Sequence, residues 1–206
     1  MIIINSDKTI INTCGIVILA AGASTRLGKP KQLLQYNDKS LLQHVLSEAI
    51  NSYASPVIVV LGANSDLVSK EIDNTKVYII ENAEWEEGMA SSVRIGLSTL
   101  LQIFPSADAV IFMVCDQPFV STSLLNDLIN TQVETCKTIV TCNYGEAIGP
   151  PALFHKSLFA ELMQLKGDAG ARKIIQQHSD NVASVLFKQG KIDIDTKEDY
   201  EALKNS

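Results

Sequence analysis

The stretch "DAVIFMVCD", residues 108–116, is apolar at every position between its two aspartates. A strand of that kind has no polar face to offer water, so both of its faces must be covered. That is the situation of a central strand in a parallel sheet with helices on either side. The rest of the chain alternates to match. "GIVILA", "PVIVVLG", "KVYII" and "KTIVTCNY" read as further strands. "SLLQHVLSEAINSY" places Leu41, Leu42, Val45, Leu46, Ala49 and Ile50 at helical spacing. "SDLVSKEI" is expected as a short helix capped by Ser65, "ASSVRIGLSTLLQIF" as a helix entered through Ser91 and Ser92, and "STSLLNDLINTQVE" as a helix capped by Ser121 or Thr122.

After Tyr144 the rhythm changes. "GEAIGPPALF" brings two glycines and two prolines before a short apolar piece. "KSLFAELMQL" and "AGARKIIQQH" read as helices, "ASVLF" and "KIDID" as short strands, and "KEDYEALK" as a closing helix. The pattern predicts an α/β fold: a Rossmann-like, doubly wound, mostly parallel sheet between helical layers, three layers in all. No repeat, linker or low-complexity tract divides the 206 residues, so one domain spanning 1–206 is expected.

Composition narrows the partners. The hydrophobic fraction is 46% and the charged fraction 19%, which suits a packed core and excludes a disordered chain. The net charge of -6 argues against nucleic acid, which calls for a basic face, but leaves room for a small anion held by one basic loop. No apolar run approaches the ~20 residues of a membrane span. "MIIINSDKTIINTC" lacks the charged start, apolar centre and small-residue cleavage site of a secretory leader. Cys14, Cys115, Cys136 and Cys142 include no C-x-x-C pair, and three of them lie beside or within apolar runs. Buried thiols in the cytoplasm are expected.

The chemistry is concentrated in "GIVILAAGASTRLGKPKQLLQY", residues 15–36. A buried strand is followed at once by Gly22, Ser24, Arg26, Gly28, Lys29 and Lys31. The first βα turn of such a sheet leaves backbone N–H groups facing the crevice, and small residues with cations there suit a phosphate. Gly22 to Lys29 comes close to a P-loop, but Pro30 stands where Ser or Thr would hold magnesium. The dinucleotide pattern G-x-G-x-x-G is absent. Asp116 ends the central apolar run, at the strand edge that faces the crevice. Beside a basic loop it is a candidate magnesium ligand, although "DQPF" would also suit a turn or helix cap.

"LAAGASTRLGKPKQLL" resembles the signature L-A-x-G-x-S-x-R-[ML]-G-x-x-K of the MobA-like nucleotidyltransferases, with Leu19, Ala20, Gly22, Ser24, Arg26, Leu27, Gly28 and Lys31 in pattern positions. "EGMASSVRIGL", "CDQPFV", "GPPALF", "GDAGAR" and "DIDTKED" extend the resemblance over nearly the whole chain and point to the molybdenum cofactor cytidylyltransferase-like, or MocA-like, branch. Lys197 stands where that branch often has proline. The resemblance implies the fold of the nucleotide-diphospho-sugar transferases. It also implies transfer of CMP from CTP to the phosphate of a molybdopterin-type cofactor, with release of pyrophosphate.

Such chemistry rests on positioned donors, cations and a metal more than on an acid–base pair. By resemblance, Arg26 and Lys31 hold the triphosphate and join Asp116 as catalytic residues, with Lys29 able to assist. Leu19, Ala20, Ala21, Gly22, Ser24, Ser91 and Ser92 complete the nucleotide site. Asp116 and Asp195 hold Mg²⁺, with Asp193 a weaker candidate and Asp199 expected on the following helix, exposed. Gly149, Asp168 and Arg172 face the acceptor, Asp168 being equally suited to capping a helix. Arg94 reads as a surface residue, and His44, His155 and His178 carry no catalytic role. A nucleotide-binding half of about 13–120 and an acceptor-binding half of about 121–206 follow. A molybdenum hydroxylase or its maturation factor is an implied partner. The other readings are a nucleotidyltransferase for a sugar phosphate or other small phosphate, and a non-catalytic cofactor-maturation partner. Ala21 bears on the base, since L-A-A-G marks CTP users by resemblance and L-A-G-G marks GTP users.

Overall fold

The computed structural model describes residue 11, residues 13–73 and residues 75–204. The stretch 1–10, in which no leader was read, lies outside the described residues. Among the described residues nine strands form: β1 (Cys14–Ala20), β2 (Gln35–Tyr36), β3 (Lys39–Ser40), β4 (Val57–Leu61), β5 (Tyr78–Glu81), β6 (Ala109–Val114), β7 (Ile139–Asn143), β8 (Ile148–His155) and β9 (Val182–Leu186). The α-helices are α1 (Leu41–Ile50), α2 (Ser65–Val68), α3 (Met89–Ile103), α4 (Thr122–Thr135), α5 (Phe159–Leu162), α6 (Arg172–Gln177) and α7 (Lys197–Lys204). Seven strands make one sheet in the order β5-β4-β1-β6-β8-β7-β9, and β2 pairs with β3 in a small hairpin. All neighbours in the large sheet are parallel except where β8 pairs with β6 and with β7.

Alternation along β1 explains the layers. Ile16, Ile18 and Ala20 pack into one core with Leu42, Val45 and Leu46 of α1 and Leu124, Leu125 and Leu128 of α4. Val17 and Ala21 enter the opposite core with Val93, Leu97 and Leu100 of α3 and with residues of α5 and α6. The expectation of a mostly parallel sheet between helical layers is met.

One strand appears where none was read, and three local expectations are corrected. The "GPPALF" piece belongs to β8, a strand in the interior of the sheet. Its two prolines would ordinarily argue against that position, because they donate no ladder hydrogen bond. The pairing runs from Thr141↔Ala152 to Cys142↔Gly149, so Pro150 and Pro151 fall in the irregularity between β7 and β8. "KIDID" forms no strand: Lys188–Lys191 is a 3₁₀ turn, and the Ile194 N–H is taken by the Asp116 carbonyl at 3.1 Å. α2 begins at Ser65 with Asn64 as its cap. α3 begins at Met89 with Gly88 as its cap, so neither Ser91 nor Ser92 is the N-cap. The Ser121 cap of α4 stands as expected, its side chain accepting from the Leu124 N–H.

Candidate active site

The loop after β1 is built by three anchors. Gln32 is fully buried, and its Nε2 donates to the carbonyls of Ala20 (2.8 Å) and Gly22 (3.2 Å). Ser24 takes a left-handed backbone, φ 54°. Its carbonyl accepts from the N–H groups of Leu27 and Gly28 at 3.1 and 3.3 Å, and its Oγ accepts from the Lys31 N–H at 3.0 Å. Leu27 then drops into an apolar cluster with Leu34, Leu41, Ile194, Tyr200 and Leu203. The loop encloses a hollow of about 140 Å³ lined by Gly22, Ser24, Thr25, Arg26, Leu27, Lys31 and Asp195. Lys29 takes no part in it; its Nζ lies 5.2 Å from the centre of the Tyr200 ring.

The same apolar cluster draws the C-terminal segment to the loop. Ile194 is buried there, and its bond to the Asp116 carbonyl sets Asp195 beside the strand edge. Asp199 lies on α7 as expected, but its carboxylate is engaged. Oδ2 accepts from the Thr196 N–H (2.8 Å), Thr196 Oγ1 (2.7 Å) and the Asp195 N–H (3.2 Å). With the Asp199 N–H donating to Thr196 Oγ1 (3.2 Å), this is a capping-box arrangement at the helix entrance. It orients the backbone that carries Asp195.

Two carboxylates meet on one cation. Lys31 Nζ donates to Asp116 Oδ2 at 2.5 Å and to Asp195 Oδ1 at 2.9 Å. Arg26 Nη2 donates to Asp195 Oδ2 at 2.8 Å. Burial works against the charge of Lys31, but the field and hydrogen bond of Asp116 outweigh it and hold its pKa above the usual lysine value. The Lys31 hydrogen bond holds the Asp195 carboxyl below its usual value despite some burial. Asp193 behaves oppositely: desolvation, then the nearby Asp116 charge, push it up to about 6. Asp116 Oδ1 is buried without a hydrogen-bond partner, and such an orphan invites a ligand.

That donor set fits a hard divalent ion. Asp116 and Asp195 already converge on a shared positive charge, and one oxygen of Asp116 is unclaimed. Among the described residues no group of three or more His, Cys, Asp or Glu could hold a metal. An ion here would therefore rest on two carboxylates, water and phosphate oxygens, which suits magnesium.

Two larger hollows meet at this point. One, about 460 Å³, is walled by Ala20, Ala21, Gly22, Lys31, Trp85 and Ser92 among others. The other, about 480 Å³, includes Phe112, Tyr144, Gly149, Arg172 and Asp193. Leu19, Met89, Val114, Asp116 and Asp168 line both. Gly62 lets the wall of the first hollow close up: a Cβ on it would lie 2.7 Å from Trp85 Cβ and 2.8 Å from Ala21 Cβ. In the second, the Tyr144 hydroxyl donates to the Pro150 carbonyl and accepts from Gln117 Nε2 at 2.9 Å.

Most of the expected site residues are thus brought together. Ser91 is not. It is buried, its Oγ donating to the Gly88 carbonyl (2.8 Å) and accepting from Asn82 Nδ2 (2.8 Å), so it supports the helix start from behind. Asp168 caps no helix: α6 has Ala171 as its cap and no side-chain cap bond. Arg94 is no free surface residue, being forked onto Glu87. His44, His155 and His178 line none of the three hollows. Sequence reasoning missed Gln32, Trp85, Met89, Gln117 and Tyr144. The only tryptophan of the chain, in a strand-to-helix loop, was a usable signal; the buried amides gave none.

A Rossmann-like sheet with a basic loop and an acidic strand end defines a nucleotide-handling α/β protein. Residues 16–182 match the model of the MobA-like NTP transferase domain, and the chain belongs to that family of nucleotidyltransferases. It is 27% identical over 203 residues to the purine catabolism protein PucB of Bacillus subtilis, covering 92% of this chain and 95% of that one. It is 28% identical to the molybdenum cofactor guanylyltransferase of Histophilus somni (94% and 97% covered). It is also 28% identical to nicotine blue oxidoreductase of Paenarthrobacter nicotinovorans (78% and 80% covered). Among solved structures, Rv0371c of Mycobacterium tuberculosis superposes with a TM-score of 0.82 at 31% identity, covering 94% and 98%. A second crystal structure of Rv0371c is a complex with manganese, with a TM-score of 0.76 at 30% identity (94% and 99% covered).

Proposed function

We propose that the chain transfers CMP from CTP to the phosphate of a molybdopterin-type cofactor and releases pyrophosphate. The observation that carries this reading is the position of Asp116. It lines both large hollows and touches Lys31, which also lines the loop hollow. The hollow over Ala20–Gly22 takes the nucleotide and the hollow at Tyr144 takes the acceptor, so the phosphorus under attack lies near Asp116. A triphosphate in the loop offers Arg26 and Lys31 oxygens that compete with Asp195 and Asp116. Both cations then stabilise charge building on the leaving pyrophosphate. Arg26 can grip two oxygens at once, while Lys31 acts as a point charge.

Asp116 and Asp195 hold Mg²⁺ in this reading, and manganese with a related protein supports a divalent ion in a site of this family. When bound, the ion polarises the α-phosphate. Ala21, walled by Gly62 and Trp85, narrows the base end and favours a pyrimidine. Residues from about 13 to 120 form the nucleotide half and residues from about 121 to 206 the acceptor half, with Asp195 reaching back to Arg26. Gly149, Asp168 and Arg172 contact the acceptor. Guanylyltransferase relatives support a molybdopterin-type acceptor, and a molybdenum hydroxylase or its maturation factor would receive the product. Free cysteines, three of them buried, support a reducing, cytoplasmic setting.

The test is a pyrophosphate-release screen of the four ribonucleotides with Mg²⁺, using molybdopterin with and without bound molybdenum, and sugar phosphates, as acceptors. CTP with a molybdopterin acceptor is expected to turn over fastest. A GTP preference overturns the base assignment, and a sugar-phosphate preference overturns the acceptor. Tight cofactor binding without turnover points to a maturation partner.

A further inference from the structure

The loop 165–172 carries Asp168, which lines both large hollows, and Arg172, which lines the Tyr144 hollow and an adjoining one of about 360 Å³. Few of its own bonds hold it. Gly167 and Gly170 take left-handed backbones, φ 66° and 49°. The loop lies against the entrance of α3: a Cβ on Gly88 would lie 2.2 Å from Asp168 Oδ1, and one on Gly170 would lie 2.8 Å from Met89 Sδ. Leu165 and Ala171 pack its ends onto the core beneath α3, and what holds its backbone between them from outside is one ion pair on α3 and the turn before it. Arg94 Nη1 and Nη2 donate to Glu87 Oε1 and Oε2 at 2.8 and 2.6 Å. The same Nη1 donates to the Leu165 carbonyl at 2.7 Å, and Glu87 Oε1 accepts from the Gly167 N–H at 3.4 Å. The pair therefore holds the backbone on both sides of Lys166. The Arg94 side chain is only 22% exposed, and neither Arg94 nor Glu87 lines any of the four hollows.

We infer that Arg94 and Glu87 are positioning residues for acceptor recognition, bracing the 165–172 loop so that Asp168 and Arg172 present themselves to the acceptor hollow. The inference rests on the acceptor reading of that hollow. A planar guanidinium forked on a carboxylate, with one N–H left over for a carbonyl, is a geometry lysine reproduces only in part.

Two measurements separate the brace from the acceptor reading. The first is hydrogen exchange of the whole protein with no ligand added. In Arg94→Ala, exchange within 163–173 is expected to rise about tenfold or more, with α3 and the sheet unchanged and Arg94→Lys in between. Unchanged exchange in that stretch, or an equal rise throughout the chain, overturns the brace. The second is steady-state kinetics with molybdopterin and CTP. Arg94→Ala is expected to raise the KM for molybdopterin about tenfold, keep the KM for CTP within about threefold, and be partly rescued by Arg94→Lys. Equal shifts in both KM values, or none, overturn the positioning role. If the wild-type protein turns over no molybdopterin, the acceptor reading fails while the exchange result still decides the brace.

Discussion

Replacing Lys31 with methionine keeps the side chain as far as Cε and removes the charged nitrogen that Asp116 and Asp195 share. Their oxygens, each bonded to one nitrogen at 2.5 and 2.9 Å, are left facing each other. At roughly 5 Å and an effective dielectric of about 20, two unit charges repel by roughly 3 kcal/mol. Removing one partner of a buried pair costs about 3–5 kcal/mol. The Asp195 side chain is 36% exposed, so solvent screens part of this, and a net loss of about 1–3 kcal/mol is expected. For a chain of this size that lowers Tm by roughly 2–10 °C. The sign with pH follows from both partners. Lys31 has a raised pKa, so its contribution is complete below the usual lysine value and is lost as pH rises through the higher folded one. Asp195 has a lowered pKa, so its contribution is complete above the usual aspartate value and is lost as pH falls through the lower folded one. The Tm gap between wild type and Lys31→Met is therefore full from about pH 8 to 10 and narrows as pH falls, first as Asp193, which Lys31 helps keep ionised, takes up its proton near pH 6, and then below about pH 4 as Asp195 does. Mg²⁺ raises the Tm of the variant more than that of the wild type, because a bound ion replaces the missing charge. Turnover falls by on the order of 10²-fold or more, as for loss of a donor aimed at transition-state charge. The assays are thermal denaturation across pH with and without Mg²⁺, and pyrophosphate release. A Tm gap that ignores acid pH, together with near-normal turnover, would show that Lys31 neither neutralises the two carboxylates nor acts in catalysis.

Asp116→Asn retains a bond acceptor but removes one of the two charges on Lys31, so turnover is expected to collapse with the fold intact and Tm lowered by no more than in Lys31→Met; near-normal rates across a Mg²⁺ titration would remove Asp116 from the metal site. Arg26→Ala leaves stability almost untouched, since its side chain is 68% exposed. It should lower kcat by on the order of 10²-fold while binding of CMP alone is unchanged, and unaltered kinetics would return Arg26 to solvent. Ala21→Gly removes a methyl from the wall shared with Gly62 and Trp85, and about 1–3 kcal/mol of base discrimination is at stake. The ratio of kcat/KM for CTP over GTP should fall by about tenfold without reversing, and an unchanged ratio would place the base elsewhere.

The sheet was legible because its strands had to be. A run such as Ala109–Val114 has no amphipathic alternative, and β1 carried the basic glycine loop with it. β8 went unread because Pro150 and Pro151 donate no ladder hydrogen bond; they occupy an irregularity in the pairing with β7, and the Pro150 carbonyl is claimed by Tyr144. "KIDID" alternates like a strand, but Ile194 is buried against Leu27 and Tyr200, and the aspartates on either side line hollows of the site. Ser91 and Ser92 had the right chemistry for a cap and the wrong register by one turn, because Gly88 supplies the left-handed start. In the site, Arg26, Lys31, Asp116 and Asp195 were named by motif, but the meeting of both carboxylates on Lys31 Nζ, with Arg26 on the far oxygen of Asp195, is a tertiary fact no spacing encodes. The Arg94–Glu87 brace was invisible for the same reason: its object, the Leu165 carbonyl, is 71 residues away.

In the proposed reaction Asp116 stands where a nucleotide's α-phosphate meets an acceptor phosphate. Following the label of α-phosphate-labelled CTP, with molybdopterin and Mg²⁺ present, tests this placement most directly. Label is expected to move into the acceptor in equal amount to the pyrophosphate released, and Asp116→Asn to abolish the transfer. Label that stays in CTP or appears only as free CMP, with protein that binds both compounds, would contradict it.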